Sequence, residues 1–271
     1  MAVITISRGS YSHGKEIAEK VAQRLNYDII SREVLLEASH LFNVPEVKLM
    51  HAIKDPPSWL ESITYGREKY IAYIQAAILR YLKKDNIVYH GFAGHFFVRN
   101  VPHVLKVRII AEMEDRAQLV MERDGLSKDE AIELLTTLDE NRRKWSRRLY
   151  GIDTFDPHLY DLVIRIKKIS VDDAVDIICH TVSLECFKTT PESQKMIENL
   201  AKAAEIKAAL VHIQPDVEVT YEDGVAELTF SWPIEVDESS VRKRLEEECF
   251  KIPEVKDVLI HVRPRCDVCK T

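Results

Sequence analysis

A glycine-bounded segment near the N-terminus, Gly9-Ser10-Tyr11-Ser12-His13-Gly14-Lys15, most constrains what this chain can fold into. It stands between the apolar run Val3-Ile4-Thr5-Ile6-Ser7 and the periodic stretch Glu16-Ile17-Ala18-Glu19-Lys20-Val21-Ala22. Strand, G-x-x-x-x-G-K, helix is the order that a phosphate-binding P-loop requires. Glycine lets the backbone turn and approach an anion closely. The loop's N–H groups and the helix N-terminus then form a positive cradle. Lys15 adds a mobile charge for the outer phosphates. The candidate phosphate-binding residues are therefore Gly9, Ser10, Tyr11, Ser12, His13, Gly14, Lys15 and Glu16. Glu16 stands where the motif normally has the Ser or Thr that meets magnesium, and a carboxylate there either binds the metal or repels the triphosphate.

The pattern downstream fits one α/β unit. Short apolar runs at Ala2–Ser7, Tyr27–Ile30, Asn86–His90, Val104–Ala111 and Leu162–Ile166 read as strands. Helical periodicity fills the intervals, including Gly14–Leu25, Arg32–Phe42, Arg67–Lys84, Asp115–Arg123 and Val171–Glu185. Ser127 with Glu130 three residues later marks a capped helix start, and Gly151 marks that helix's end. Strands alternating with helices predict a three-layer α/β domain with a parallel five-stranded sheet over residues 1–188. Past the polar junction Lys188-Thr189-Thr190-Pro191 the order changes to helix, strand, strand, helix, strand, with Asp223-Gly224 as a hairpin turn. Residues 192–264 thus read as a small α+β domain, and 265–271 as a tail carrying Cys266 and Cys269.

A net charge of −6 gives no global field toward nucleic acid or acidic membranes. No apolar run approaches the roughly 20 residues of a membrane helix, and Arg8 and Lys15 interrupt any signal-peptide core. Five cysteines, an odd count, read as reduced thiols. The expectation is a cytoplasmic protein with neither membrane nor nucleic acid as partner. Cys266-Asp267-Val268-Cys269 holds half of a zinc site at best, and a flexible tail is its base reading.

Arg142, Arg143, Arg147 and Arg148 crowd the helix that Ser127 opens, and spacings of four bring Arg143 and Arg147 to one face. Phosphoryl transfer asks mainly for positive charge around the moving group. Lys15, Arg142, Arg143 and Arg147 are therefore the candidates for acting on it, on a helical lid. A solvated charged face is the alternative. Arg116 and Arg123, on the helix after the fourth strand, have ion pairs with Glu112, Glu114 or Asp124 as their plain reading. His90 and His95 read as ligand contacts or, as is more common at a strand end, as structural residues, and Asp153 and Asp156 as turn formers before Pro157.

Three stretches together resemble the cytidylate kinase-like family of P-loop nucleoside monophosphate kinases. They are Ile4-Thr5-Ile6-Ser7-Arg8 with Gly14-Lys15-Glu16-Ile17-Ala18, Met121-Glu122-Arg123-Asp124-Gly125-Leu126-Ser127, and Asp139-Glu140-Asn141-Arg142-Arg143 followed by Tyr150-Gly151-Ile152-Asp153 and Tyr160-Asp161-Leu162-Val163-Ile164. The resemblance implies transfer of a phosphoryl group from ATP to a pyrimidine nucleotide such as CMP, with Mg2+, under an arginine-bearing lid. It also implies Arg116 and Arg123 near the nucleotide and Asp153 and Asp156 positioning the lid. Glu16, a departure from the pattern, is the metal-binding candidate through its own carboxylate beside the substrate's phosphates. Two further departures stand out: Phe92 replaces the arginine that such kinases usually carry after the third strand, and no Asp closes that strand. A nucleotide-binding sensor built on a degenerate kinase stays open as the other reading. Residues 192–264 resemble a BON domain, which leaves a protein partner or a homodimer through that domain open. Phe230 and Trp232 there read as core.

Overall fold

The computed structural model describes residues 2–31, 33–46, 48–49, 64–91, 94–232 and 238–264. In chain order its main elements are β1 (Val3–Arg8), α1 (Gly14–Leu25), β2 (Asp28–Ile30), α2 (Glu33–Phe42), α3 (Thr64–Leu82) and β3 (Ile87–His90). Then come α4 (Gly94–Phe97), β4 (Val104–Ala111), α5 (Met113–Asp124), α6 (Lys128–Tyr150), β5 (Leu162–Ile166) and α7 (Val171–Val182). The chain closes with α8 (Pro191–Leu210), β6 (Glu218–Glu222), β7 (Val225–Trp232), α9 (Glu238–Cys249) and β8 (Asp257–Pro264). Two compact units divide them. One lies within Met1–Val34 and Lys84–Gln194, the other within the described residues of Leu35–Lys83 and Lys195–Thr271.

The first unit carries a five-stranded sheet in the order β2-β3-β1-β4-β5, every pair parallel. β1 sits at its centre because Val3, Ile4 and Ile6 leave at most 2% exposed. A parallel strand covered on both faces needs such a continuous apolar run. Ile17, Ala18 and Val21 of α1 pack with Ala174, Val175 and Ile178 of α7 over the same core. Burying side chains of the size of Ile17 and Val21 contributes about 1.5–3 kcal/mol each. Neighbours of β1 run in opposite sequence directions, β3 on one side and β4 on the other, so the strand order reverses there. The crevice beyond the carboxyl ends at such a switch point is where α/β sheets take ligands.

Local signals hold in α6. Ser127 and Glu130 form a reciprocal capping box, and Gly151 ends the helix with φ 65°. The short helix α4 lies outside the expected pattern. Its Gly94 is tied to a close approach, since a Cβ there would stand 2.3 Å from Cε1 of Tyr89. Helix α7 stops at Val182 rather than near Glu185, and a 3-10 turn at Glu185–Phe187 follows.

In the second unit, β6 and β7 pair antiparallel through Asp223 (φ 51°) and Gly224 (φ 95°), two left-handed residues as a type I′ turn demands. β8 joins β7 in parallel. Ile206, Leu210, Leu228, Phe230 and Leu245 form its core, so Phe230 packs inward. Also within this unit, Phe42 of α2 stacks on Tyr73 of α3 at 4.1 Å between ring centroids. By packing, the unit takes in α3 and most of α2, which the sequence reading placed within residues 1–188. Phe92, the Trp232 side chain, Cys266 and Cys269 lie outside the described residues. No helix among the described residues is long and apolar enough to cross a membrane.

Candidate active site

The turn from β1 into α1 takes its shape from two left-handed residues, Tyr11 (φ 57°) and His13 (φ 61°). Such a conformation costs a non-glycine residue roughly 1–2 kcal/mol, and alternating hands make successive N–H groups converge. The surroundings fix the strained turn. Ser12 Oγ donates to the Gly9 carbonyl at 3.0 Å and to the Ile109 carbonyl at 3.2 Å, and Arg116 Nε donates to the Ser10 carbonyl at 2.7 Å. Arg116 also pairs with Asp139 of α6 at 2.7 Å. Among the described residues no protein acceptor meets the N–H groups of Ser12 through Glu16. The buried Ser10 hydroxyl likewise has no partner. Converging unmet donors at a helix start fit phosphate oxygens.

The charged residues beside the turn face outward. Lys15 is 66% exposed and pairs with Glu19 at 3.5 Å. Glu16 lies between His13 and Lys20, 3.3 Å from each. Among the described residues no group of three or more His, Cys, Asp or Glu side chains stands ready to enclose a metal. A magnesium site needs less, one or two carboxylates with the substrate's phosphates, and the Glu16 carboxylate fits that part.

Beside the loop lies a cavity of about 370 Å3 at the carboxyl ends of the strands. Arg8 and Gly9 form one wall, Arg108 another, and Asp139, Arg142 and Trp145 of α6 cover it. Arg108 is 6% exposed and stands opposite Ser7 in the sheet register. Its Nη1 donates to Ser7 Oγ at 3.3 Å and to the Tyr160 hydroxyl at 3.2 Å. That hydroxyl donates to the Thr154 carbonyl at 3.0 Å and approaches His95 Nε2 at 3.4 Å. Burial pushes the His95 imidazole down to about 3, so it is neutral and adds no charge to the cavity. Burial, with Arg8 as the next cause, also lowers Arg142, whose Nη1 donates to the Arg8 carbonyl at 3.3 Å.

The arginines singled out from the sequence divide here. Arg142 lines the cavity. Arg143 and Arg147 turn to Asp153, at 2.6 Å and 2.5 Å. Arg143 chiefly holds the Asp153 carboxyl well below the usual carboxylate range, and Arg147 adds to it. Arg123 pairs with Asp124 at 2.7 Å and lies 4.7 Å above the Tyr11 ring. Asp156 caps the 3-10 turn Pro157–Leu159. Arg8, Asp139 and Tyr160 stood in the sequence as members of the family-like stretches, with no site role assigned, and Arg108 was not singled out, although a charge inside each of two apolar strands was a visible signal. A carboxyl with a depressed native pKa contributes stability above its unfolded value, about 3.9, which is lost as pH falls through the native one. The stability gap between the wild type and Asp153→Asn is therefore expected to be full at neutral pH and to close in acid, as urea melts at stepped pH would measure. A gap independent of pH would show that Asp153 does not anchor these arginines.

A parallel sheet in this order, a glycine-bounded loop opening α1 and an arginine-bearing helix over the strand ends define a P-loop phosphotransferase of the nucleotide-kinase class. The chain belongs to the cytidylate kinase-like family, whose sequence profile matches residues 3–168. A cytidylate kinase of Pyrobaculum arsenaticum is 28% identical over 193 residues, which cover 69% of this chain and 98% of that one. One of Sulfolobus acidocaldarius is 31% identical over 100 residues, 37% of this chain and 54% of that one, so the match spans about half of that relative. The crystal structure of an uncharacterized protein from Eubacterium ventriosum superposes with a TM-score of 0.50 at 21% identity, over 67% of this chain and 98% of that one. That last likeness is one of fold.

Proposed function

We propose that this chain transfers the γ-phosphoryl group of ATP to a pyrimidine nucleoside monophosphate such as CMP. One observation carries the reading: a loop with unmet N–H donors and an arginine-lined cavity share Gly9 as a common wall. Two anion sites in contact suit a donor and an acceptor phosphate. An oxygen of the acceptor phosphate bonds to the γ-phosphorus, the bond to the β,γ-bridging oxygen breaks, and ADP leaves. Gly9 through Lys15 would cradle the ATP phosphates. Arg142, with Arg143 and Arg147 once released from Asp153, would meet the transferring group. Glu16 would hold magnesium, which neutralises phosphate charge when bound.

Replacing Lys15 by Ala removes one charge-assisted contact worth about 1.5–3 kcal/mol. ATP affinity is expected to fall at least about tenfold by calorimetry, and equal affinities would remove the loop from the reading. Transfer assayed over a panel of nucleoside monophosphates then tests the acceptor.

The second reading is a nucleotide sensor, favoured by Arg143 and Arg147 both resting on Asp153 and by the carboxylate of Glu16 beside the loop. It predicts tight ATP binding with no transfer to any acceptor. The helix–strand–strand–helix–strand order of α8 through β8 supports a BON-like role for the C-terminal residues, as a surface for a protein partner or a second copy. We assign the chain to the cytoplasm, where ATP is plentiful and Cys179, Cys186 and Cys249 stay free.

A further inference from the structure

Among the described residues, two guanidinium groups at the cavity have no carboxylate partner. The partners of the buried Arg108 are the neutral hydroxyls of Ser7 and Tyr160 and the ring faces of Phe155 and Tyr160, at 5.2 Å and 5.5 Å. Arg8 lays its stem across the start of α1, since a Cβ at Gly14 would come within 2.6 Å of Arg8 Cβ and 2.7 Å of its Cδ. Among the described residues no carboxylate pairs with either group. Asp139, the acid in the cavity wall, is taken by Arg116. Burial lowers Arg8 from its ordinary value, though a guanidinium stays charged at neutral pH. Burying a charge without an opposite one is costly, so an anion is the missing member.

Side chains of successive strand residues face opposite ways. Ser7 shares the face of Arg108, so Arg8 reaches the cavity from the α1 side and Arg108 from the other. Two guanidiniums converging from opposite faces match a tetrahedral dianion better than a single carboxylate, because each forks onto two oxygens. Trp145 and Phe155 line the same space and offer it ring surfaces.

We propose that Arg8 and Arg108 form a two-sided clamp for the phosphate monoester of the acceptor, so that the cavity selects phosphorylated over unphosphorylated nucleosides. This rests on the kinase reading for the identity of the acceptor, and on geometry alone for the clamp. Arg8 is then a specificity-determining residue.

The test uses the full chain saturated with a non-hydrolysable ATP analogue, so that the loop is filled. Calorimetry measures CMP, cytidine and inorganic phosphate against the wild type and Arg8→Gln, which keeps most of the stem over Gly14. CMP affinity is expected to fall about tenfold or more in Arg8→Gln. Cytidine should bind both proteins alike, and inorganic phosphate should compete with CMP in the wild type. Equal CMP affinity in both proteins, equal weakening of CMP and cytidine, or a wild type that binds neither CMP nor inorganic phosphate would overturn the clamp. Arg8→Lys, with stem and charge kept, should still weaken CMP more than cytidine and serves if Arg8→Gln melts early. Phosphate binding that depends on Arg8, with no transfer to any monophosphate, would remove the kinase reading and leave the clamp standing.

Discussion

Replacing Arg142 by Ala is expected to lower phosphoryl transfer by about three orders of magnitude while ATP affinity stays within a few-fold. Arg142 lines the cavity proposed for the acceptor and donates to the carbonyl of Arg8, the residue just before the proposed phosphate loop. On the proposed reading it therefore stands at the seam of the two anion sites, where charge would move during transfer. A group at that seam gains more from the transition state than from either bound substrate, so its loss shows in turnover. Arg147→Ala is expected to differ. Its side chain is 54% exposed and its guanidinium sits on Asp153, so part of its effect passes through the lid's anchoring. The measurement is single-turnover transfer to CMP, with ATP affinity determined in parallel. If Arg142→Ala weakens ATP binding as much as it slows transfer, Arg142 acts on the ground state and the sensor reading gains. A wild type that binds ATP tightly and phosphorylates no acceptor would remove the kinase altogether.

Features settled by neighbouring residues were legible in the sequence. The strand, loop and helix around Gly9 to Lys15, the Ser127 capping box, the stop at Gly151 and the Asp223-Gly224 turn each depend on contacts a few residues apart. The cavity depends on contacts of another kind. Arg108 meets Tyr160 across 52 positions and Ser7 across 101. An arginine within Val104–Ala111 signals a buried charge, but nothing local names its partners. Arg116 shows the same limit. Glu112, Glu114 and Asp124 were the nearby carboxylates, yet the sheet and α6 bring Asp139 to it instead. Arg143 and Arg147 were legible as a pair on one helix face, and their shared carboxylate became specific only once Gly151 turned the chain back toward α6. Periodicity places side chains on faces, and tertiary closure decides which charges meet.

Gly14→Ala should abolish most ATP binding without unfolding the protein, lowering affinity by about a hundredfold or more. Gly14 opens α1 outside the left-handed region, so Ala strains no backbone torsion there, and it is the better helix former by up to about 1 kcal/mol. Steric fit opposes it. The new Cβ would lie 2.6 Å from Arg8 Cβ, an atom fixed to the end of β1, and 2.7 Å from Cδ. Relief requires the start of α1 or the end of β1 to move. The N–H groups of Ser12 through Glu16 move with the helix start, and each charge-assisted bond lost to phosphate costs about 1.5–3 kcal/mol. Two such bonds give the hundredfold estimate, well beyond the loss expected for Lys15→Ala. The same displacement pushes Arg8 from its place in the cavity, so CMP affinity should fall as well. Calorimetry with ATP and CMP, beside a thermal melt, separates the outcomes. A melting temperature within a few degrees of the wild type, with both ligands weakened, is the expected pattern. ATP binding unchanged in a folded Gly14→Ala protein would mean that the phosphates do not rest on this loop, and the donor site would have to be sought elsewhere in the chain.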